Sequence, residues 1–127
     1  MTRFWDDEDA ALDRDDVDAA VEANVTQWAG ADPAVQAGVR QMQRRAFDLQ
    51  LGSTAEASDD PVDPAAVAAR TLVVVGSGDL PDFAGIADRL VATMPRATKR
   101  VVDGAGHLVA MERPAEFAAL IAEFVGA

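Results

Sequence analysis

Residues 71–107 decide the fold and read TLVVVGSGDLPDFAGIADRLVATMPRATKRVVDGAGH. The continuous apolar, β-branched run at 71–75 predicts a strand that is covered on both faces. Residues 82–94 have the apolar spacing of an amphipathic helix, and residues 99–102 predict a second strand. A strand–helix–strand unit of this length makes its two strands parallel.

An aspartate and the only histidine of the chain follow these two strands. Asp79 ends the turn Gly76-Ser77-Gly78-Asp79, and His107 ends the turn Gly104-Ala105-Gly106-His107. Because parallel neighbours lie about 4.8 Å apart and end at the same edge of the sheet, we expect the two side chains to meet. Glycines around His107 allow the backbone to approach closely. An imidazole paired to a carboxylate suits general-base and general-acid catalysis near neutral pH.

Other interpretations of these turns stay open. Strand, Gly-x-Gly and helix also begin a dinucleotide-binding fingerprint, although Pro81 stands at the third glycine position and Asp103 lies beside the histidine turn. Alternatively, the glycines only make a tight turn and Asp79 caps the next helix. A single histidine is likewise more often a structural residue than a catalyst.

Helical patterns fill the rest of the chain. Residues 4–12 suggest a short helix, and residues 16–29 predict a second one that Asp15 or Asp16 caps. Asp32-Pro33 opens a third helix, which ends before Gly52 and whose predicted apolar stripe is Val35, Val39, Met42, Ala46 and Leu49. Pro114 opens the last helix, with the stripe Phe117, Leu120, Ile121 and Phe124.

These patterns predict three segments. Residues 1–52 form a helical segment, residues 53–63 are a small, polar and acidic linker, and residues 64–127 contain both strands. A short helical turn is expected from Pro64 to about residue 69. The predicted class is therefore α/β, with the helices first and a two-stranded parallel β-α-β-α tail after them.

Composition excludes several classes of function. A net charge of −11 disfavours binding to nucleic acid or to an anionic membrane surface. The absence of cysteine and the single histidine argue against a metal centre, and no cofactor is expected. No apolar run reaches the length of a membrane span, and the acidic N-terminal region is no signal peptide. We therefore expect a cytoplasmic protein. The basic patch of Arg40, Arg44 and Arg45 is interpreted as a solvated face.

Three stretches resemble the C-terminal portion of an α/β-hydrolase: residues 73–82, residues 101–108, and residues 112–124. In that family the acid follows the penultimate strand in a Gly-x-x-Asp turn, and the histidine follows the last strand in a Gly-x-Gly-His turn. The resemblance therefore implies that Asp79 and His107 are the catalytic acid and histidine. It also implies, more loosely, that residues 1–52 correspond to the helical cap of the family.

The nucleophile of that family is missing from the sequence. It occupies a Gly-x-Ser-x-Gly elbow before the acid, whereas the serines here are Ser53, Ser58 and Ser77, none of them in such a pattern. We therefore expect a truncated α/β-hydrolase that is weakly active or inactive alone. It would act on a small-molecule substrate only when a missing N-terminal half, as in a split protein, completes it. The alternative is a non-catalytic interaction module that pairs through the exposed edge of strand 71–75, for example as a homodimer.

Overall fold

The architecture combines helices with one small parallel sheet, as a computed structural model of residues 2–55 and 61–126 shows. These residues form α1 (Thr2–Leu12), α2 (Val17–Trp28), α3 (Pro33–Gln50), a 3₁₀ helix (Pro64–Ala66), β1 (Thr71–Gly76), α4 (Pro81–Thr93), β2 (Ala97–Val102), α5 (Val109–Glu112) and α6 (Pro114–Gly126). The chain divides into two compact units, Met1–Ala57 (unit 1) and Ser58–Ala127 (unit 2). The predicted mixed α/β class is confirmed.

Unit 1 contains α1, α2 and α3, and the last two begin at the predicted aspartates. The Asp16 carboxylate accepts the Ala19 amide at 3.0 Å, and the Asp32 carboxylate accepts the Ala34 amide at 2.8 Å. Both contacts satisfy amides that have no partner within the helix. Pro33 takes the first position of α3, where a missing N–H costs nothing.

The buried face of α3 differs from the predicted stripe. Val35 and Val39 are buried as expected, but Phe47 is only 4% exposed, whereas Met42 is 54% and Leu49 57% exposed. The buried side chains follow four-residue steps toward Phe47. A buried phenylalanine ring removes more apolar surface from water than a methionine side chain does, so the helix turns its aromatic side inward.

The predicted basic patch on α3 is paired with acidic side chains. Arg40 binds the Glu22 carboxylate through Nε and through Nη2, the latter at 2.9 Å. Arg44 binds Asp18 and lies 3.7 Å from Asp48. The hydrogen bond from Arg40 lowers the pKa of the Glu22 carboxyl, and the same bond raises the pKa of Arg40. Two of the three arginines of the patch are therefore paired with acids of unit 1.

Unit 2 contains the predicted pair of parallel strands, with Thr71 opposite Ala97 and Gly76 opposite Val102. Strand β2 begins two residues before the predicted start. The expectation that β1 is fully covered is wrong, because only Val75 and Gly76 are buried while the first four residues are half-buried. In the part of unit 2 that the structure describes, the sheet has two strands. A strand with one neighbour loses less surface than a central strand.

Helices pack on both faces of this sheet, as the strand pattern predicts. On one face, Lys99 of β2 forms an ion pair with Asp88 of α4. On the other face, α6 contributes to a hydrophobic cluster whose members are Val74, Val102, Ala105, Val109, Phe117 and Leu120. Helix α4 connects the two strands as a crossover, so they run parallel. The loops that follow β1 and β2 therefore emerge at one edge.

Part of the predicted linker, residues 56–60, lies outside the described residues. The predicted helical turn after it is the 3₁₀ helix Pro64–Ala66, which Asp63 caps by accepting the Ala65 amide at 2.9 Å. The similarity of residues 1–52 to a hydrolase cap stays a prediction. Within the described ranges, no helix has both the length and the apolar character that crossing a membrane requires.

Candidate active site

Asp79 and His107 meet at the carboxyl edge of the sheet. Nδ1 of His107 lies 3.0 Å from Oδ2 and 3.2 Å from Oδ1 of Asp79. The Asp79 side chain is 7% exposed, whereas the imidazole is 32% exposed. The acid is thus shielded while the histidine reaches solvent, which is the arrangement needed for a proton acceptor that an inner carboxylate orients.

The contact assigns the proton positions of the pair. An ionised carboxylate only accepts hydrogen bonds, so Nδ1 of His107 is the donor. In the neutral ring, Nε2 then carries the lone pair that can accept a proton. Oδ1 of Asp79 also accepts the Leu80 amide at 2.7 Å, which fixes the carboxylate. The Phe83 ring lies 4.4 Å from the imidazole, measured between ring centroids, and restricts how the imidazole can tilt.

The turns that carry the two residues are packed backbone against backbone. A Cβ atom on Gly76 would lie 2.2 Å from the carbonyl oxygens of both Ala105 and Gly106. The Gly78 amide donates to the Ala105 carbonyl at 2.8 Å. Glycine is therefore required at position 76 for steric reasons. The close approach involves the predicted Gly-Ala-Gly turn, but the glycine that permits it is Gly76 in the other turn.

Ser77 connects the same two turns through its hydroxyl group. Its Oγ accepts the Gly104 amide at 2.8 Å and donates to the Asp103 carboxylate at 3.1 Å. Gly104 adopts a φ of +65°, a conformation that favours glycine. Ser77 thus holds the histidine turn. Ser77 lies in the turn between β1 and α4, but this turn does not have the Gly-x-Ser-x-Gly pattern of a nucleophile elbow.

Two neighbouring residues that the sequence analysis did not single out also hold the histidine turn. The Glu112 carboxylate accepts the Gly106 amide at 2.8 Å and the Leu108 amide at 3.1 Å. Arg113 donates to the Gly104 carbonyl at 2.7 Å. Leu108 is the N-cap of α5, so the contact with Glu112 resembles a capping box displaced by one residue. Because Leu108 is not a capping residue type, the sequence carries no capping-box signal that could have indicated Glu112.

The alternative interpretations of the first turn fit the geometry less well. The N-cap of α4 is Leu80, and no side chain caps it. The amide that Asp79 accepts precedes the helix, so Asp79 is not a helix cap. A nucleotide phosphate would meet the Asp79 carboxylate, and Pro81 offers it no N–H group. Among the described residues, no group of three potential ligands could hold a metal ion.

Comparisons of this chain with protein-family models, with curated proteins and with solved structures found no match. At this site, an imidazole contacts a shielded carboxylate between two closely packed turns.

Proposed function

We propose that unit 2 carries the acid–histidine pair of a serine-type α/β-hydrolase. The 3.0 Å contact between Nδ1 of His107 and Oδ2 of Asp79, at the carboxyl edge of two parallel strands, is the observation that carries the proposal. The spacing of the two turns and their similarity to the family motifs support it. His107 is assigned as base and then acid, and Asp79 as the residue that orients it.

The pair would serve acyl transfer by moving one proton. Nε2 of His107 takes the proton of an attacking hydroxyl group, and the resulting imidazolium is stabilised by the Asp79 carboxylate. The same proton then passes to the leaving group when the tetrahedral intermediate collapses. Substrates with a suitable leaving group are small esters, lactones or compounds with an activated C–C bond.

The proposal assigns only the proton-transfer part of this reaction to the 127 residues. Their sequence contains no Gly-x-Ser-x-Gly elbow and no His-Gly-Gly-type oxyanion segment. The nucleophile and the oxyanion-binding amides then belong to a further polypeptide segment. Removing the nucleophile eliminates most of the rate acceleration that a triad provides, so the 127 residues alone should be weakly active or inactive.

The first experiment measures the purified chain alone. We expect it to hydrolyse a short aryl ester no faster than its His107→Ala variant, and we expect a fluorophosphonate probe to leave its intact mass unchanged. A rate that His107→Ala abolishes would contradict the predicted inactivity. A mass increase on a serine would show that the chain has a nucleophile after all.

The second experiment tests the role of the pair. The DNA upstream of the coding sequence should encode a strand, an elbow with serine and a helix. The product of that DNA, purified together with this chain, should hydrolyse the ester and should lose most activity with His107→Ala or Asp79→Asn. Upstream DNA without such a segment counts against a split enzyme, and variants as active as the wild type would refute the assigned roles.

A second candidate function is self-association through the open edge of β1. This strand has no charged side chain, whereas β2 carries Lys99 and Arg100, which discourage pairing. The amides of Thr71 and Ser77 donate toward the β2 side, at 2.9 Å each. Because amides alternate along a strand, that of Leu72 points to the opposite edge. A second copy could pair its own β1 there around a two-fold axis.

Light scattering tests this candidate with two variants. Leu72→Pro removes the outward amide and should convert a dimer into a monomer, since proline is tolerated on an edge strand whose N–H faces outward. Leu72→Ala keeps the amide and is the matched control for the lost side chain. A wild-type chain that stays monomeric at all concentrations would contradict self-association through β1.

A further inference from the structure

The Glu112 carboxylate binds the backbone on both sides of the candidate catalytic histidine. Oε2 accepts the Gly106 amide at 2.8 Å, and Oε1 accepts the Leu108 amide at 3.1 Å. These are the residues immediately before and after His107. A carboxylate that receives two N–H groups forms stronger hydrogen bonds than a neutral acceptor does.

We infer that Glu112 is a positioning residue, which directs the His107 ring toward Asp79. This inference depends on the proposed function, to which it adds a residue that positions the histidine. The direction of a side chain follows from the backbone dihedral angles of its own residue and from its rotamer. Two amides that bind one carboxylate restrain the peptide planes on either side of His107. They therefore restrain the direction in which its Cβ points.

Neighbouring contacts make the restraint effective, since they hold the rest of the turn. Arg113 donates to the Gly104 carbonyl at 2.7 Å, and Ser77 accepts the Gly104 amide at 2.8 Å. The start of the turn is thus held from two sides. Glu112 holds its end, where the histidine stands. The Glu112 carboxylate together with the Gly106 and Leu108 amides is called the clasp below.

The chemistry of the clasp requires a carboxylate. Glutamine has nearly the same size but only one acceptor oxygen, so Glu112→Gln turns an NH₂ group toward one of the two amides. One hydrogen bond is lost and two donors face each other. Gly106→Ala disturbs the clasp from the other side, because a Cβ atom there would lie 3.0 Å from Oε1 and 3.3 Å from Oε2 of Glu112.

The experiment uses the single histidine as a spectroscopic probe. In a ¹⁵N-labelled sample, the imidazole nitrogen shifts report the share of the tautomer with its proton on Nδ1, and the exchange rate of that proton reports how well the bond to Asp79 is protected. Glu112→Gln and Gly106→Ala should each lower the tautomer share and accelerate exchange about tenfold or more, as expected when a charge-assisted hydrogen bond is lost.

Glu116→Gln is the matched control, because it removes the same charge from an exposed position in the first turn of α6. It should behave like the wild type. Imidazole signals of Glu112→Gln and Gly106→Ala that equal those of the wild type would overturn the inference. If both variants lose the backbone amide signals of β1 and β2, Glu112 only maintains the fold, and the inference is overturned as well.

A further variant separates this inference from the proposed function. Asp79→Asn should change which ring nitrogen of His107 carries the proton, since an amide can donate to Nδ1 whereas a carboxylate cannot. If Asp79→Asn leaves the imidazole signals unchanged, the pair itself is absent and the proposed function fails. If it changes them while Glu112→Gln does not, only the positioning role of Glu112 fails.

Discussion

Gly76 is the residue at which the two site-bearing turns come closest. Alanine at this position would place Cβ 2.2 Å from two carbonyl oxygens that belong to the backbone. Backbone atoms cannot rotate away as a side chain does, so the turns must separate. We expect Gly76→Ala to lower the free energy of unfolding by about 1–3 kcal/mol or more, as measured by urea unfolding with the amide signals of unit 2 as the probe.

Gly85 provides the matched control for this substitution. It lies within α4, and a Cβ atom there would meet nothing within 4 Å. Alanine is the better helix former, so Gly85→Ala should stabilise unit 2 by about 0.5–1 kcal/mol. Equal effects of the two substitutions would show that the close approach at Gly76 has no energetic weight.

At the scale of single residues, the sequence could predict contacts that topology dictates. Asp79 and His107 follow parallel strands, and such strands end at one edge, so their meeting could be inferred without coordinates. The contacts of Glu112 could not be inferred in this way. Its partners are backbone amides, which every residue except proline possesses, so the sequence does not indicate which amides a carboxylate will bind.

At the scale of secondary-structure elements, two ion pairs connect α2 and α3 of unit 1, and the one between Arg40 and Glu22 predicts a pH dependence. Arg40 of α3 binds Glu22 of α2 and lowers the pKa of the Glu22 carboxyl. A lowered pKa in the folded state means that the unfolded chain binds the proton first as the pH falls. The stabilisation is therefore present above the ordinary pKa of glutamate and is lost as the pH falls through the lower, folded value.

We expect Glu22→Gln to remove this part of the acid-induced loss of stability. The free energy of unfolding of variant and wild type should differ at neutral pH and converge at acid pH, with a smaller difference at high salt because the pair is exposed. Urea unfolding at several pH values, followed by tryptophan fluorescence, measures this. A difference that grows as the pH falls would contradict the assignment.

The buried face of α3 gives a second prediction at this scale. Phe47→Ala should destabilise unit 1 by about 3–5 kcal/mol, since it leaves a cavity in the core. Met42→Ala is the control and should change stability by less than about 0.5 kcal/mol, because the side chain is 54% exposed. Urea unfolding measures both variants. A larger loss of stability in Met42→Ala than in Phe47→Ala would instead support the stripe that the sequence predicts.

The difference between the predicted and the observed buried face of α3 shows what limits predictions for a helix. The caps at Asp16 and Asp32 could be predicted because a cap is a local interaction between a side chain and nearby amides. The face that a helix buries depends on its neighbours. A stripe through Met42 and a stripe through Phe47 have similar periodicity on α3, and only packing against the other helices distinguishes them.

At the scale of the whole molecule, the charge distribution predicts how the chain meets other macromolecules. The net charge is −11, and the arginines of α3 that could attract phosphate include Arg40 and Arg44, which are paired with acids. We expect no retention of duplex DNA in a gel-shift assay, even at low salt, with a basic DNA-binding protein as positive control. A complex whose affinity falls steeply with salt would contradict this expectation.

The extent of the sheet is a property of the whole molecule as well. The letters of β1 predict a strand buried on both faces, yet its first four residues are half-buried. Periodicity describes which faces of a strand are apolar, but it does not count the strands beside it. For this reason the sequence could predict the layers of unit 2 and could not predict how much of β1 they cover.

The packing of Gly76 against Ala105 and Gly106 has a consequence for modularity. The described hydrogen bonds of the acid and of the histidine turn all join residues 76–113, within one unit. We therefore expect the distances within the pair to persist when a different segment is attached to unit 2. Gene fusion, fission or deliberate grafting could give it a new neighbour and leave the alignment of its proton donor and acceptor intact.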